Sequence, residues 1–506
     1  MDAPAKTPAL RRGAERLGNV LVLGLGKSAR AVADYCLPLA GGRVEGVYVA
    51  AGDRTDASEG AARRIARAGA AVAFGDDAVD ELAARVPGGR FDLCVASPGI
   101  PPASKLYRRA AEASAQVIGE VELAWRESSP DSAWVAVTGT NGKTTVTSLI
   151  AHVLEAAGVR AAAVGNIGDT CIEAVAKGGT DVYVAETSSY QLFSTKDFAP
   201  QAAVLLNITP DHLKWHGSFE AYRDAKLKAL ANLGGVPGAA AVLDATDATV
   251  RAEVRRLRGM GEAELGFAYV PVGTKDGYGG DMRAACGSRN AAFVDAEGFL
   301  TVAWAGREHR LAAARDLQIK GRHNVGNALA AASAAVALGA DDAAIARGLA
   351  TFAPLEHRIE PCGTVRGAAC YNDSKATNVD ATLVALAAFP EARPIVLLGG
   401  DDKGTDLAPL VEAAHRHARA AICFGAAAQR FEEAFRAAEG DAPDGFALLH
   451  AARLADALDA ACSLAAEGDV ILLSPACASF DEFSCFEERG QVFKELVASR
   501  AAALGA

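Results

Sequence analysis

The stretch Thr138-Gly139-Thr140-Asn141-Gly142-Lys143-Thr144-Thr145 constrains the fold of this chain more than any other. It follows an apolar run, Trp134–Val137, and precedes a helical pattern, Val146–Leu154. Buried strand, glycine turn, lysine, hydroxyl residue and helix form the grammar of a phosphate-binding loop, in which backbone amides and the helix N-terminus face a polyphosphate. Lys143 meets the outer phosphates and the Thr144 hydroxyl reaches Mg²⁺. The common pattern carries an earlier glycine where this chain has Val137, so the match is incomplete. With a strand before it and a helix after it, the stretch reads as a nucleoside triphosphate site rather than an ordinary strand-to-helix turn.

At 506 residues the chain exceeds one core, and about 100–200 residues per domain suggests three. A formal charge of −11 argues against a non-specific nucleic-acid binder. No apolar run is long enough to span a membrane. The ten cysteines show no zinc spacing, and several (Cys94, Cys423, Cys462) lie in apolar runs as small buried hydrophobes. Reduced thiols and a cytoplasmic location are expected. Residues 1–18 carry Lys6, Arg11, Arg12 and Arg16 without the apolar segment of a signal peptide, and read as a frayed extension.

Beyond it, Asn19–Leu23, Val44–Val49 and Phe91–Ala96 are apolar strands separated by helical stretches. Continuous apolar strands alternating with helices imply a parallel sheet covered on both faces. Ser128–Ser132 reads as a linker, and a second α/β unit begins at Trp134, with strands at Val182–Ala185 and Ala202–Leu206. The glycine-rich 256–318 region has weak periodicity and segments that look like short strands, and reads in part as a variable insertion. A third unit begins near Leu355, with strands Pro394–Leu398, Ala420–Phe424 and Val470–Leu473. The expected division is an extension over 1–18 and domains over 19–127, 128–353 and 354–506.

Several polar turns close these strands. Gly24-x-Gly26-x-x-Ala29, with Asp53 beyond it and Ser97-Pro98-Gly99-Ile100 at another strand end, fits NAD, the diphosphate of another nucleotide, or simple helix–sheet packing. In the second unit Glu186 and the pair Asp211-His212 follow strands and can converge on the phosphate loop, where a hard cation takes oxygen ligands. Lys226 reads from composition as a solvated helix lysine. In the third unit Asn372–Asn378, Gly399–Gly404 and Ser474–Asp481 suggest one binding edge.

Taken in order, Thr-Gly-Thr-Asn-Gly-Lys-Thr, Glu186-Thr-Ser-Ser, Asp211-His212, Gly321–Ala328, His357-Arg358 and Asn372–Asn378 resemble the Mur ligase family of ATP-dependent amide-forming enzymes. The resemblance implies three α/β domains: an N-terminal Rossmann-like domain, a central P-loop ATPase-like parallel sheet, and a C-terminal Rossmann-like doubly wound sheet. The Gly-Leu-Gly-Lys-Ser turn, Val95–Ile100 and Leu473–Asp481 point to the member that adds D-glutamate to UDP-N-acetylmuramoyl-L-alanine through an acyl phosphate. It implies a UDP-sugar site at Gly24, Lys27, Ser28, Asp53, Ser97 and Gly99, with Asn166 and Ser188. It implies an ATP site at Gly139, Thr140, Asn141, Gly142, Lys143, Thr144 and Thr145, with Asn324, Asn327, Arg358, Asp373 and Lys375. D-glutamate would meet Thr377, Lys403, Ser479 and Phe486.

Lys226 matches the family lysine that CO₂ converts to a carbamate. Two Mg²⁺ would be held by Thr144, Glu186, His212 and carbamylated Lys226. The implied catalytic set is Lys143, Glu186, His212, Lys226, Arg358 and Lys375. The implied partners are small molecules, with no nucleic acid or stable membrane association, acting on a monomer. Lys214 stands where the family has an acidic residue. A sister ligase adding another amino acid, a folate-extending ligase and a nicotinamide-dependent oxidoreductase fused to an NTPase are the rival readings.

Overall fold

The structure is a computed structural model that describes residues 15–260, 262–273, 288–319, 321–389, 392–402 and 404–505. Its α/β architecture rests on three sheets. The first contains β1 (Gly18–Leu23), β2 (Val44–Ala51), β3 (Ala71–Phe74), β4 (Leu93–Ala96) and β5 (Val117–Gly119). Their order is β3-β2-β1-β4-β5, and every pairing is parallel. β1 and β4 are buried along their whole length, as strands covered on both faces must be. The strand order reverses between β1 and β4, which opens a crevice at their carboxyl ends. Leu17 and Gly18, assigned by sequence to the extension, already belong to the fold: Leu17 is buried, and both amides donate to Arg43 O.

The second sheet contains β6 (Ala133–Thr138), β7 (Ala161–Gly165), β8 (Val182–Glu186), β9 (Ala202–Leu205), β10 (Ala240–Asp244), β11 (Ala268–Val272), β12 (Ala291–Val294), β13 (Phe299–Trp304) and β14 (Arg307–Ala313). Its order is β14-β13-β12-β11-β10-β9-β6-β8-β7. The pairings are parallel from β7 to β12, and two antiparallel pairings add β13 and β14 at the edge. The described part of the 256–318 region is therefore not a mere insertion. It supplies four strands of this sheet.

The first two sheets share one apolar core, and these residues form a compact unit up to Asp316 together with Gly326–Ala350. Ile118, Val121, Leu123 and Trp125 pack in the same cluster as Trp134 and Phe198. Trp125 and Trp134 both meet the Phe198 ring edge-on, at 6.1 and 6.0 Å. The expected linker is a folded turn within this unit: Ser128 is buried, and its Oγ accepts from Trp134 Nε1 at 2.9 Å.

The second unit comprises Leu317–Val325 and Thr351 onward. Its sheet contains β15 (Glu360–Val365), β16 (Ala368–Asn372), β17 (Ile395–Gly399), β18 (Ala420–Phe424), β19 (Ala447–Ala451) and β20 (Val470–Leu473). The order is β15-β16-β20-β17-β18-β19, parallel except for the β15–β16 hairpin. Two apolar clusters, one on each face, cover it as a doubly wound sheet requires. None of the nine described cysteines forms a disulfide. Among the described residues no helix is long and apolar enough to cross a membrane.

Candidate active site

The crevice of the first sheet is a cleft of about 500 Å³. Gly24, Lys27 and Ser28 after β1, Asp53 after β2, and Ser97 and Gly99 after β4 all line it. These are the six first-domain residues named from sequence. Gly24 has φ of 97°, and a Cβ there would lie 2.9 Å from Ser97 Oγ, so a side chain would close the approach between the two turns. Ser97 Oγ is buried without a partner among the described residues. An unsatisfied hydroxyl between two glycine turns suits a polar ligand. The Lys27 ammonium donates to Gly168 O at 2.5 Å, which ties the cleft to the turn after β7.

That turn carries Asn166, whose Nδ2 donates to Glu186 Oε1 at 2.8 Å. Glu186 ends β8 beside the phosphate loop, and its carboxylate is buried. Its Oε2 has no partner among the described residues. A buried carboxylate oxygen left bare beside a phosphate loop is the donor a hard cation takes, so these residues fit Mg²⁺. Ser188 caps the helix Ser189–Phe193 through reciprocal bonds with Gln191.

The phosphate loop joins β6 to the helix Lys143–Ala156. Gly142 has φ of 84°, and a Cβ there would fall 2.9 Å from Asn327 Oδ1, so only glycine fits. Asn207, after β9, holds the loop from both sides: its Oδ1 accepts from Asn141 N at 2.7 Å and its Nδ2 donates to Asn141 O at 3.1 Å. Thr140 Oγ1 accepts from Thr209 N at 3.0 Å and lies 2.9 Å from the Tyr222 hydroxyl. Lys143 Nζ folds back onto Gly139 O and Thr140 O at 3.0 and 2.8 Å.

Lys226 is not the solvated lysine its composition suggests. It is 2 % exposed, its Nζ donates to Gly139 O at 2.7 Å, and it lies 4.7 Å over the Tyr222 ring. The helix Phe219–Leu227 turns this position inward, toward the phosphate loop. Burial, then repulsion from Lys143, draws its ammonium well below the usual lysine range, while Asp211 and Glu186 oppose the shift. The charges of Lys143, Asp211, Glu186 and Lys226 therefore meet at one edge. His212 follows with a left-handed backbone, its Nε2 3.4 Å from Asp211 Oδ2 and its ring 4.7 Å from Tyr190. Lys214 is exposed.

In the second unit the three polar turns follow adjacent strands β16, β20 and β17, on one edge as expected. Asp373 is buried. Its Oδ2 accepts from Ser474 Oγ at 2.8 Å and its Oδ1 from Ile359 N at 3.2 Å, and desolvation pushes it up to about 7. Arg358 sits between His357 and Ile359, whose φ of 62° and 45° are held by bonds from their neighbours. Lys375 places its ammonium 3.6 Å over the Phe486 ring. Ser479 is buried, and Thr377 lies on the Asn372 turn. Lys403 lies outside the described residues. Asn327 belongs to the first unit and Asn324 to the second.

Sequence reasoning missed the residue that fastens these turns. Arg489, 0 % exposed, donates to Ser374 Oγ (2.9 Å), Ser374 O (2.8 Å), Ala478 O (3.0 Å) and Cys477 O (3.1 Å). It also missed Asn207 and Tyr222. Their signal was present only as polar residues beside motifs already noted.

Residues 137–335 match the Mur ligase middle domain, and residues 357–477 match the Mur ligase, glutamate ligase domain. The UDP-N-acetylmuramoylalanine–D-glutamate ligase of Pelotomaculum thermopropionicum is 36% identical over 489 residues, covering 95% of this chain and 97% of that protein. The ligase of the same name from Frankia casuarinae is 38% identical over 484 residues, covering 95% and 94%. Among solved structures, a pseudomurein peptide ligase type C from Methanothermus fervidus matches with a TM-score of 0.55 at 16% identity, over 95% of this chain and 99% of that one. The UDP-N-acetylmuramate-alanine ligase of Thermotoga maritima matches with 0.53 at 18% identity, over the same shares. At such identities the structural matches speak to the fold. With a phosphate loop flanked by Glu186 and Asp211, and with likeness along nearly its whole length, this chain belongs to the Mur ligase family.

Proposed function

We propose that the protein joins D-glutamate to UDP-N-acetylmuramoyl-L-alanine at the cost of ATP, as a cytoplasmic monomer making a cell-wall precursor. The observation that carries this reading is the full-length likeness to D-glutamate ligases, in a chain whose nucleotide cleft and phosphate loop are joined through Lys27, the Asn166 turn and Glu186. We assign the UDP-sugar to residues 19–127, ATP chiefly to 128–353 and the amino acid to 354–506. The nicotinamide reading of the Gly24 turn loses its ground, because a diphosphate suits the same turn in this family.

The alanine carboxylate attacks the γ-phosphorus of ATP. A carboxyl O–P bond forms, the bridging P–O bond breaks, and ADP leaves. The D-glutamate amine then attacks the acyl carbon, the C–O bond to phosphate breaks, and the amine gives up a proton as the amide forms. Lys143, Arg358 and Lys375 supply positive charge around the phosphoryl group in flight, and the loop amides orient it. Mg²⁺ held by Thr144, Glu186, His212 and a carbamate on Lys226 would neutralise the polyphosphate.

Burial draws the Lys226 ammonium well below the usual lysine range and so favours the neutral amine, the form that attacks CO₂. The new N–C bond releases one proton and leaves an anionic oxygen ligand. Asn166 and Ser97 orient the nucleotide sugar, while Thr377, Lys403, Ser479 and Phe486 receive D-glutamate. The test is phosphate release from ATP with UDP-N-acetylmuramoyl-L-alanine across a panel of amino acids. Release dependent on D-glutamate, with a matching mass gain on the nucleotide sugar, is expected. Release with another amino acid would move the enzyme to a sister step, and release with none would end the ligase reading.

A further inference from the structure

Glu120 is the first residue of the helix Glu120–Glu127, immediately after β5, and is 2 % exposed. Nothing in the proposed chemistry uses it. Its Oε1 accepts from Ile172 N at 2.6 Å, at the start of the helix Cys171–Lys177. Its Oε2 is buried without a partner among the described residues.

The helix Cys171–Lys177 is capped by Thr170 and Glu173, and is entered through the turn 165–170. That turn is fastened at further points as well, among them Asn166 N donating to Glu186 O and Lys177 pairing with Asp169. Asn166 holds Glu186 Oε1, Gly165 N donates to Asp169 O, and Lys27 Nζ reaches Gly168 O. Glu120 is thus the anchor at the far end of the turn that links the nucleotide cleft to the phosphate loop.

Lys27 lines the cleft, yet spends its charge on a neutral carbonyl. A diphosphate in the cleft is a stronger acceptor for an ammonium than a carbonyl. The charge of Lys27 also reaches Glu120 and favours its ionised form.

We propose that Glu120 is a positioning residue of the nucleotide-sugar cleft, holding the turn 165–170 in register, and that its Oε2 takes up a proton from solvent when a bound diphosphate draws Lys27 away. This rests on reading the cleft as the nucleotide-diphosphate site. The groups facing Glu120 are Lys27 from the helix Lys27–Cys36, and Cys171 and Glu173 from the helix it anchors. Burial raises Glu120 to about 7 and Glu173 adds to the rise, while the Ile172 amide, the Cys171 amide and, least of these, Lys27 oppose it. Losing Lys27 therefore moves the carboxyl further toward its neutral form, and the bare Oε2 is the atom that carries the proton.

The experiment is calorimetric titration of the full-length protein with UDP-N-acetylmuramoyl-L-alanine, which has no group titrating near neutrality. Slightly above neutral pH, two buffers of different ionisation enthalpy report proton uptake. Wild type should take up a fraction of a proton per ligand bound. Glu120→Gln, which keeps the acceptor for Ile172 N, should bind with similar affinity and no uptake. Lys27→Met should bind several-fold more weakly, also without uptake. Glu120→Ala, which loses the anchor, should raise KM for the nucleotide sugar several-fold.

Equal uptake in wild type and Glu120→Gln, or uptake surviving Lys27→Met, overturns the proposal. So does wild-type binding without uptake, which leaves the reading of the cleft intact. Absence of any wild-type binding overturns the reading of the cleft and the proposal with it.

Discussion

Replacing Arg489 with methionine tests whether one guanidinium holds the binding turns of the second unit. The methionine keeps a flexible apolar stem and removes every donor. Ala478 O retains the bond it accepts from Asp401 N, and Ser374 Oγ still donates to Phe486 O. The carbonyls of Ser374 and Cys477 are left stranded among the described residues. At about 1–3 kcal/mol for each stranded buried acceptor, the gross loss is about 2–6 kcal/mol. Against this, burial of the cation is itself unfavourable. Desolvation draws Arg489 down from 12.5 to about 10. At about 1.4 kcal/mol for each pH unit, methionine is spared roughly 3 kcal/mol of that strain.

The net change then lies between about 1 kcal/mol of stabilisation and about 3 kcal/mol of destabilisation, small enough for the protein to stay folded. The functional loss should be larger. Ser374 lies in the turn that carries Asp373, Lys375 and Thr377, and Cys477–Ala478 lead into Ser479. A shift of about 1 Å in such groups costs up to about a hundredfold in rate. Thermal melts should show a midpoint within about 10 °C of wild type. Steady-state assays should show KM for both ATP and D-glutamate raised about tenfold or more, with KM for the nucleotide sugar unchanged. A folded Arg489→Met protein with wild-type constants would refute the reasoning.

Asp373 is pushed up to about 7 from an ordinary 3.8 by burial, so the folded state favours its neutral form. Its contribution to stability is complete below the unfolded value and is lost as pH rises through about 7, by up to about 4 kcal/mol. Asp373→Asn should therefore become progressively more stable than wild type in melts between mild acid and mild alkali, and a constant difference would contradict the assignment. Gly142→Ala places a Cβ 2.9 Å from Asn327 Oδ1 at a left-handed position, costing about 1–2 kcal/mol of backbone strain alone. ATP affinity should fall about tenfold or more, with nucleotide-sugar binding intact, as competitive titrations would show. Wild-type activity should rise with bicarbonate after CO₂ is stripped, whereas Lys226→Ala should stay inactive at any bicarbonate level. Wild-type rates in Lys226→Ala would remove the carbamate from the mechanism.

The strands Asn19–Leu23, Trp134–Val137, Val182–Ala185 and Ala420–Phe424 were legible because continuous apolar runs bounded by polar turns report burial on both faces. The places of the phosphate loop, the Gly24 turn and Glu186 were legible for the same reason, since a turn at a buried strand's end declares where it lies, while the chemistry of the Gly24 turn stayed open between a dinucleotide, another nucleotide and simple packing. The 256–318 region was legible only as short strand-like segments without an assigned order. β12, β13 and β14 take their places from pairing with neighbours rather than from periodicity of their own. Lys226 looked solvated because a lysine among polar neighbours on a helix carries no mark of what covers it.

The local grammar of the chain thus determined that there would be α/β units, a phosphate loop and polar turns at strand ends, because each is encoded within a few consecutive residues. Tertiary structure alone decided that Lys226 is buried against Gly139 O, that Asn207 holds the loop, that Arg489 fastens two turns and that Glu120 anchors the helix after the Asn166 turn. The bonds from Lys226, Asn207 and from Arg489 to Ser374 span 66 to 115 positions, and that from Ile172 to Glu120 spans 52. A hydrogen bond at that separation depends on how the sheets and helices bring distant side chains together, and no stretch of sequence carries that information by itself.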